Sequence, residues 1–198
     1  MAFVPMGSEQ IAGWAASRGL IYRPDPDEAW FRSWEPFDTI APPEIYVSSC
    51  SWSIAPPDQI TVVEPWYAPA DGTPLDRTLL GFATHAGLRH MASARAGEHF
   101  LTRVAFIESP PPPEIHIGDE LWDRHVKTFA RVPEDGPRAF HRRLRRLLAG
   151  WGFSGHLELR RGGLVCHYAG LAPTPRDYDR MLLIMRDIVN AAVSYPPP

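Results

Sequence analysis

The stretch "HLELRRGGLVCHYAG", residues 156–170, constrains the fold more than any other part of the chain. Apolar and polar residues alternate on both sides of Gly162 and Gly163, the pattern of two half-buried strands joined by a tight turn. A two-residue hairpin turn fixes register. With both glycines in the turn, Arg161 falls opposite Leu164, Leu159 opposite Cys166 and Leu157 opposite Tyr168 on a buried face. The outward face then sets Glu158 opposite His167, with His156 and Arg160 beside them.

Helical patterns flank this hairpin. Downstream, Thr174 is an N-cap, Pro175 fits the first turn, and Tyr178, Met181, Leu182, Met185 and Ile188 form an inward stripe. Upstream, "EDGPRAFHRRLRRLLAGWG" aligns Phe140, Leu144, Leu147, Leu148 and Trp151 along one face. Its polar face carries Arg138, Arg142 and Arg146 at four-residue spacing with Arg145 near them, which predicts a continuous basic ridge.

The first half mixes both periodicities. A helix runs from an N-cap at Ser8 to a left-handed stop at Gly19, and a second is expected after an N-cap at Asp25, with Pro26 in its first turn and Glu28 completing a capping box. Trp30, Phe31 and Trp34 at helical spacing read as core. From Glu44 the period becomes two: Tyr46, Cys50, Trp52 and Ile54 alternate with Val47, Ser49, Ser51 and Ser53. A second strand, "QITVVEPWYA", contains Pro65 and so belongs at an edge or a bulge. Residues 75–95 mix the two periods and favour strand, "HFLTRVAFIE" is a strand, and "EIHIG" is a brief one. These elements predict an α+β fold: a mainly antiparallel sheet with helices packed on one face and a C-terminal helix–hairpin–helix. A single unit over residues 1–198 is expected, with the proline run Pro110–Pro113 as a possible subdomain boundary.

No apolar run approaches the roughly 18 residues that span a bilayer, and the opening "MAFVPMGSEQ" lacks a basic segment followed by a long apolar one, so a cytoplasmic location is expected. Cys50 and Cys166 stand far apart with no metal-ligand spacing. Lysine occurs once, at Lys127, among twenty basic residues, and with 22 prolines this composition suggests a GC-rich bacterial genome.

Several constellations could carry chemistry. Glu158 facing His167 is half of a general-base arrangement, although no GxSxG accompanies it and Ser154 is the nearest hydroxyl. His116, Asp119, Glu120, Asp123 and His125 form a mixed donor cluster of weak metal character, which a solvated turn explains more simply. Glycine loops for phosphate are missing, and no cofactor is implied. Residues 1–60 hold eight acids against three bases, while residues 138–161 hold seven arginines against Glu158 alone. Such segregation suits contact between the two ends, self-association or a protein partner at Arg138, Arg142, Arg145 and Arg146; a net charge of -3 disfavours nucleic acid. The reading that follows is a non-catalytic bacterial accessory protein that binds a partner or itself. The alternatives are a hydrolase or metal-dependent enzyme at Glu158/His167 or His116–His125, and nucleic-acid binding through residues 138–146.

Overall fold

The computed structural model describes residues 7–34, 43–55, 58–67, 77–98 and 110–193. In chain order the elements are α1 (Ser8–Ser17), β1 (Ile21–Arg23), α2 (Glu28–Arg32), β2 (Ile45–Ala55), β3 (Asp58–Trp66), β4 (Leu80–Thr84), β5 (Ala92–Ala96) and β6 (Glu114–Ile115). There follow α3 (Glu120–His125), β7 (Val126–Phe129), α4 (Asp135–Ala139), α5 (Arg142–Gly150), β8 (Gly155–Arg160), β9 (Gly163–Tyr168) and α6 (Pro175–Val193). The nine strands form one sheet in the order β1-β2-β3-β4-β9-β8-β5-β7-β6, antiparallel at every pairing. The fold is α+β, as the patterns predict. The C-terminal hairpin is inserted between β4 and β5, so strands from both sides of the proline run share its ladders.

α6 is the element read most fully. Thr174 Oγ1 accepts from the Asp177 amide at 3.3 Å, and Tyr178, Met181, Leu182, Met185 and Ile188 are all buried. Each such side chain contributes about 1.5–3 kcal/mol relative to exposure. The helix lies across β3 and β4, where Gly81 gives it room: a Cβ there would meet Met185 and Met181. α1 and α5 bury Ile11, Ala15, Leu144 and Leu148 in the same cluster. On the opposite sheet face α2 presents Phe31, with Trp30 and Trp34 beside it, to Tyr46, Leu80, Phe82 and Val165. Phe31 is core, as the spacing suggests, whereas Trp30 and Trp34 pack against it only partly buried.

The hairpin register differs from expectation by two residues. Leu157 faces Cys166, Leu159 faces Leu164, Glu158 faces Val165 and His156 faces His167. The turn is Arg161–Gly162, and only Gly162, at φ 82°, needs the left-handed conformation there. Gly163 lies within β9 for a different reason: the Trp34 ring rests where its Cβ would be, and the Ala83 carbonyl is 3.1 Å from that point. A slip of two keeps the same residues together on each face, so the leucine face stays inward, but the other face, expected outward, is buried too, with Val165 packed against Leu80 and Phe82.

The basic helix is broken. Phe140, at φ -96° and ψ 55°, ends α4, and His141 in extended backbone begins α5. Arg138 therefore belongs to a different helix from Arg142 and Arg146, and the continuous ridge is interrupted. Smaller differences follow the same local logic. Asp27, not Asp25, caps α2 by accepting from the Ala29 amide at 3.0 Å, and Gly7 rather than Ser8 precedes α1; Gly19 does take φ 66° after it.

β2 carries a bulge between Val47 and Cys50, with Ser48 at φ 54° and its carbonyl held by the Tyr178 hydroxyl at 2.6 Å. The bulge sends Tyr46 to the α2 face and Cys50 to the α6 face, where strict alternation keeps them together. Pro65 sits past the end of the β4 ladder, paired with Tyr46 of β2 alone, so its missing N–H costs no ladder bond. Residues 75–95 contain β4 and the start of β5 with a turn between, whereas the strand expected over 99–108 lies outside the described residues.

Candidate functional site

Three of the four residues around the predicted general base are shut away. His156 and His167 are fully buried, Glu158 is 4% exposed, and Arg160 is half-buried. His167 Nε2 lies 2.9 Å from Thr78 Oγ1. Glu158 accepts from Arg160 Nε at 3.0 Å and approaches His156 Nε2 at 3.6 Å. Burial lowers the His156 pKa against the pull of Glu158, so its imidazole stays neutral. Arg95, beside His156 across β5 and β8, sits over the Phe129 ring with its guanidinium carbon 5.8 Å from the centroid. On the opposite, α6 face of the sheet Arg77 clasps Glu64, donating to Oε2 at 2.7 Å, while burial pushes the Glu64 carboxyl up against that pull. These charges are closed in by the fold. Glu158 lines a cleft of about 290 Å³, beside Ser93, Asp135, Met91 and Val132. Ser154 donates to the Ala96 carbonyl at 3.5 Å and lies just before β8, four residues from Glu158.

The donor cluster at His116–His125 folds into loop scaffolding. The Asp123 carboxylate accepts from the Ile117 and Gly118 amides at 3.0 and 2.9 Å, and Asp119 caps α3 by accepting from the Trp122 amide at 3.3 Å. Asp119 also accepts from Arg145 Nε at 3.0 Å, and that contact first, then the cap, holds its pKa below the usual carboxylate range. His116, Glu120 and His125 are exposed. Among the described residues no group of three or more His, Cys, Asp or Glu side chains converges as metal ligands.

The Asp119–Arg145 contact joins two regions that the sequence treats separately. It closes one side of a cleft of about 730 Å³ between α3 and α5. Trp122, Val126, Leu148 and Phe153 line it with apolar surface, and Arg142, Arg145 and Arg146 give it cationic surface. Arg145 is fixed twice, since it also donates to the Phe140 carbonyl at 2.6 Å. Arg142, Arg143 and Arg146 are exposed and make no ion pair among the described residues; Arg138 is exposed but lies off the cleft. Leu121, 71% exposed, stands at its edge. Arg142 and Arg146 are legible as a basic face from spacing alone. The apolar lining is not, because Trp122 and Phe153 are far apart in sequence and come to one cleft only in the folded chain, with α3 packed on β7.

No family model and no curated protein matches the sequence. Among solved structures, the crystal structure of the mycobacterial trehalose monomycolate transport factor A, TtfA, is similar at a TM-score of 0.63 and 11% identity, covering 98% of this chain and 99% of that one. At that identity the likeness is one of fold. Among the described residues no helix is long and apolar enough to cross a membrane.

Proposed function

We propose that this chain is a non-catalytic accessory protein that acts by binding a partner protein, and that the α5 face is where an acidic surface of the partner docks. The carrying observation is the unspent charge of Arg142, Arg143 and Arg146, which is exposed beside apolar surface and answered by no acid among the described residues. Arginine in that position supports bidentate contacts to carboxylates. The described acids of the first third make no ion pair with it: α5 packs on α6, and Arg145 is taken by Asp119. A role beside a larger machine is compatible with the structural neighbour, which is named as a transport factor.

An enzyme built on Glu158 is the second reading, favoured by the entry of that carboxylate into the 290 Å³ cleft. It ranks lower because His156 and His167 are sealed, and a general base must reach the proton it removes.

Site-directed photo-crosslinking tests the docking face, with p-benzoylphenylalanine in place of Arg143 in the cells that make the protein. A discrete crosslink to a protein with an acidic surface is expected, lost in the Arg142→Glu/Arg146→Glu variant and kept in Arg138→Glu. Crosslinks to nucleic acid, or crosslinks indifferent to charge reversal, overturn the reading.

A further inference from the structure

We infer that the cleft between α3 and α5 binds a single-chain amphiphile with a carboxylate or phosphate head, a ligand class that rests on the binding reading of this same face. The cleft volume, about 730 Å³, falls in the range of roughly 300–1,000 Å³ typical of small-molecule sites. Its apolar wall offers almost nothing to a polar ligand. The one hydrogen-bond donor on the Trp122 ring is already given to Thr128 Oγ1 at 2.9 Å, and Val126, Leu148 and Phe153 are hydrocarbon. An apolar chain is the group such a lining rewards, because it removes hydrocarbon from water and strands no buried donor.

The head is set by charge. Asp119 neutralises Arg145, and the double anchorage of Arg145 on Asp119 and the Phe140 carbonyl holds that edge of the cleft in shape. Arg142 and Arg146, one helical turn apart, remain as two positive charges with no acid on them among the described residues. Guanidinium pairs at this spacing grip carboxylate or phosphate oxygens by charge-assisted hydrogen bonds. A metal ion does not suit the site, because the Asp119 and Asp123 carboxylates are committed to Arg145 and to backbone amides. The remaining titratable group on the cleft, His125, is exposed at its edge.

Isothermal titration calorimetry of the full chain tests this with dodecanoate, dodecyl phosphate and the uncharged dodecyl maltoside, each below its micelle concentration, and with butyrate and inorganic phosphate as heads without a long chain. Both long-chain anions are expected to bind at least about tenfold more tightly than the neutral chain or the bare heads, the scale of a lost charge-assisted contact. The ratio between dodecanoate and dodecyl phosphate identifies the head. Arg142→Gln/Arg146→Gln changes two exposed side chains, keeps the fold, and should erase the preference for anions. Ala149→Trp, at an exposed helix position on the cleft, should block all chains. Equal affinity for neutral and anionic chains, affinity unmoved by the arginine variant, or no binding of either anion overturns the inference. If the anions fail to bind while the crosslink at position 143 still captures an acidic protein, the docking reading stands and the amphiphile alone is rejected.

Discussion

His156 lies directly across from His167 where β8 and β9 pair, and both imidazoles are fully buried. The pairing places both rings in the middle of a nine-stranded sheet, with the Glu158 carboxylate 3.6 Å from His156. Burial holds the folded pKa of His156 below its ordinary 6.5, and His141 is depressed by burial as well. The unfolded chain therefore takes up these protons first as pH falls. Stability is fully present above pH 6.5 and is lost progressively below it. Urea midpoints at successive pH values should fall through this window, and the fall should be shallower in His156→Gln.

Gly81 is required by α6 and not by its own backbone angles. A Cβ added there would lie 2.6 Å from Met185 Cγ and 2.9 Å from Met181 Cε. Gly81→Ala should cost about 1–3 kcal/mol from overpacking. Adding it to Met185→Ala, which vacates that space, should cost less than about 1 kcal/mol; thermal or urea unfolding of the double-mutant cycle reads the difference.

Arg145 differs in kind from its neighbours on α5. Its loss leaves the Phe140 carbonyl without a donor at the α4–α5 break, so Arg145→Ala should destabilise by about 1 kcal/mol or more. Alanine at Arg142, Arg143 or Arg146 should stay within about 0.5 kcal/mol. Denaturant titration of the four variants separates scaffold from docking surface.

Insertion of the β8–β9 hairpin between β4 and β5 ties the two sides of the proline run into one ladder. We therefore expect one cooperative urea transition, coincident by tryptophan fluorescence and far-UV circular dichroism. Fragments divided at Pro110–Pro113 should each lack structure, since either one leaves the central strands without a partner. Two separate transitions would mean that the proline run is a true domain boundary.

Both cysteines are buried and free, and burial pushes the Cys50 thiol up to about 12 and Cys166 higher still. Thiolate is the reactive form, so native protein at pH 8 should be inert to a thiol-disulfide reagent and titrate two thiols once unfolded.

Local chemistry wrote much of this molecule into the sequence. The cap and stripe of α6, the left-handed stop at Gly19, the core role of Phe31, and the division of the hairpin into a leucine face and a polar face all depend on neighbours within a few positions. Period and capping act at that range, so they are legible in sequence. What required distant contacts was decided by the tertiary structure. Trp34 lies on Gly163 in the observed hairpin register, Tyr178 on the Ser48 carbonyl anchors the bulge in β2, and α2 closed over a sheet face that alternation alone leaves wet. The α3–α5 cleft is the clearest case. Arg142 and Arg146 announce a basic helix, but the apolar lining beneath them and the Asp119–Arg145 contact exist only because residues far apart in sequence pack together. Burial and close approach are properties of the folded chain, and no local pattern carries them.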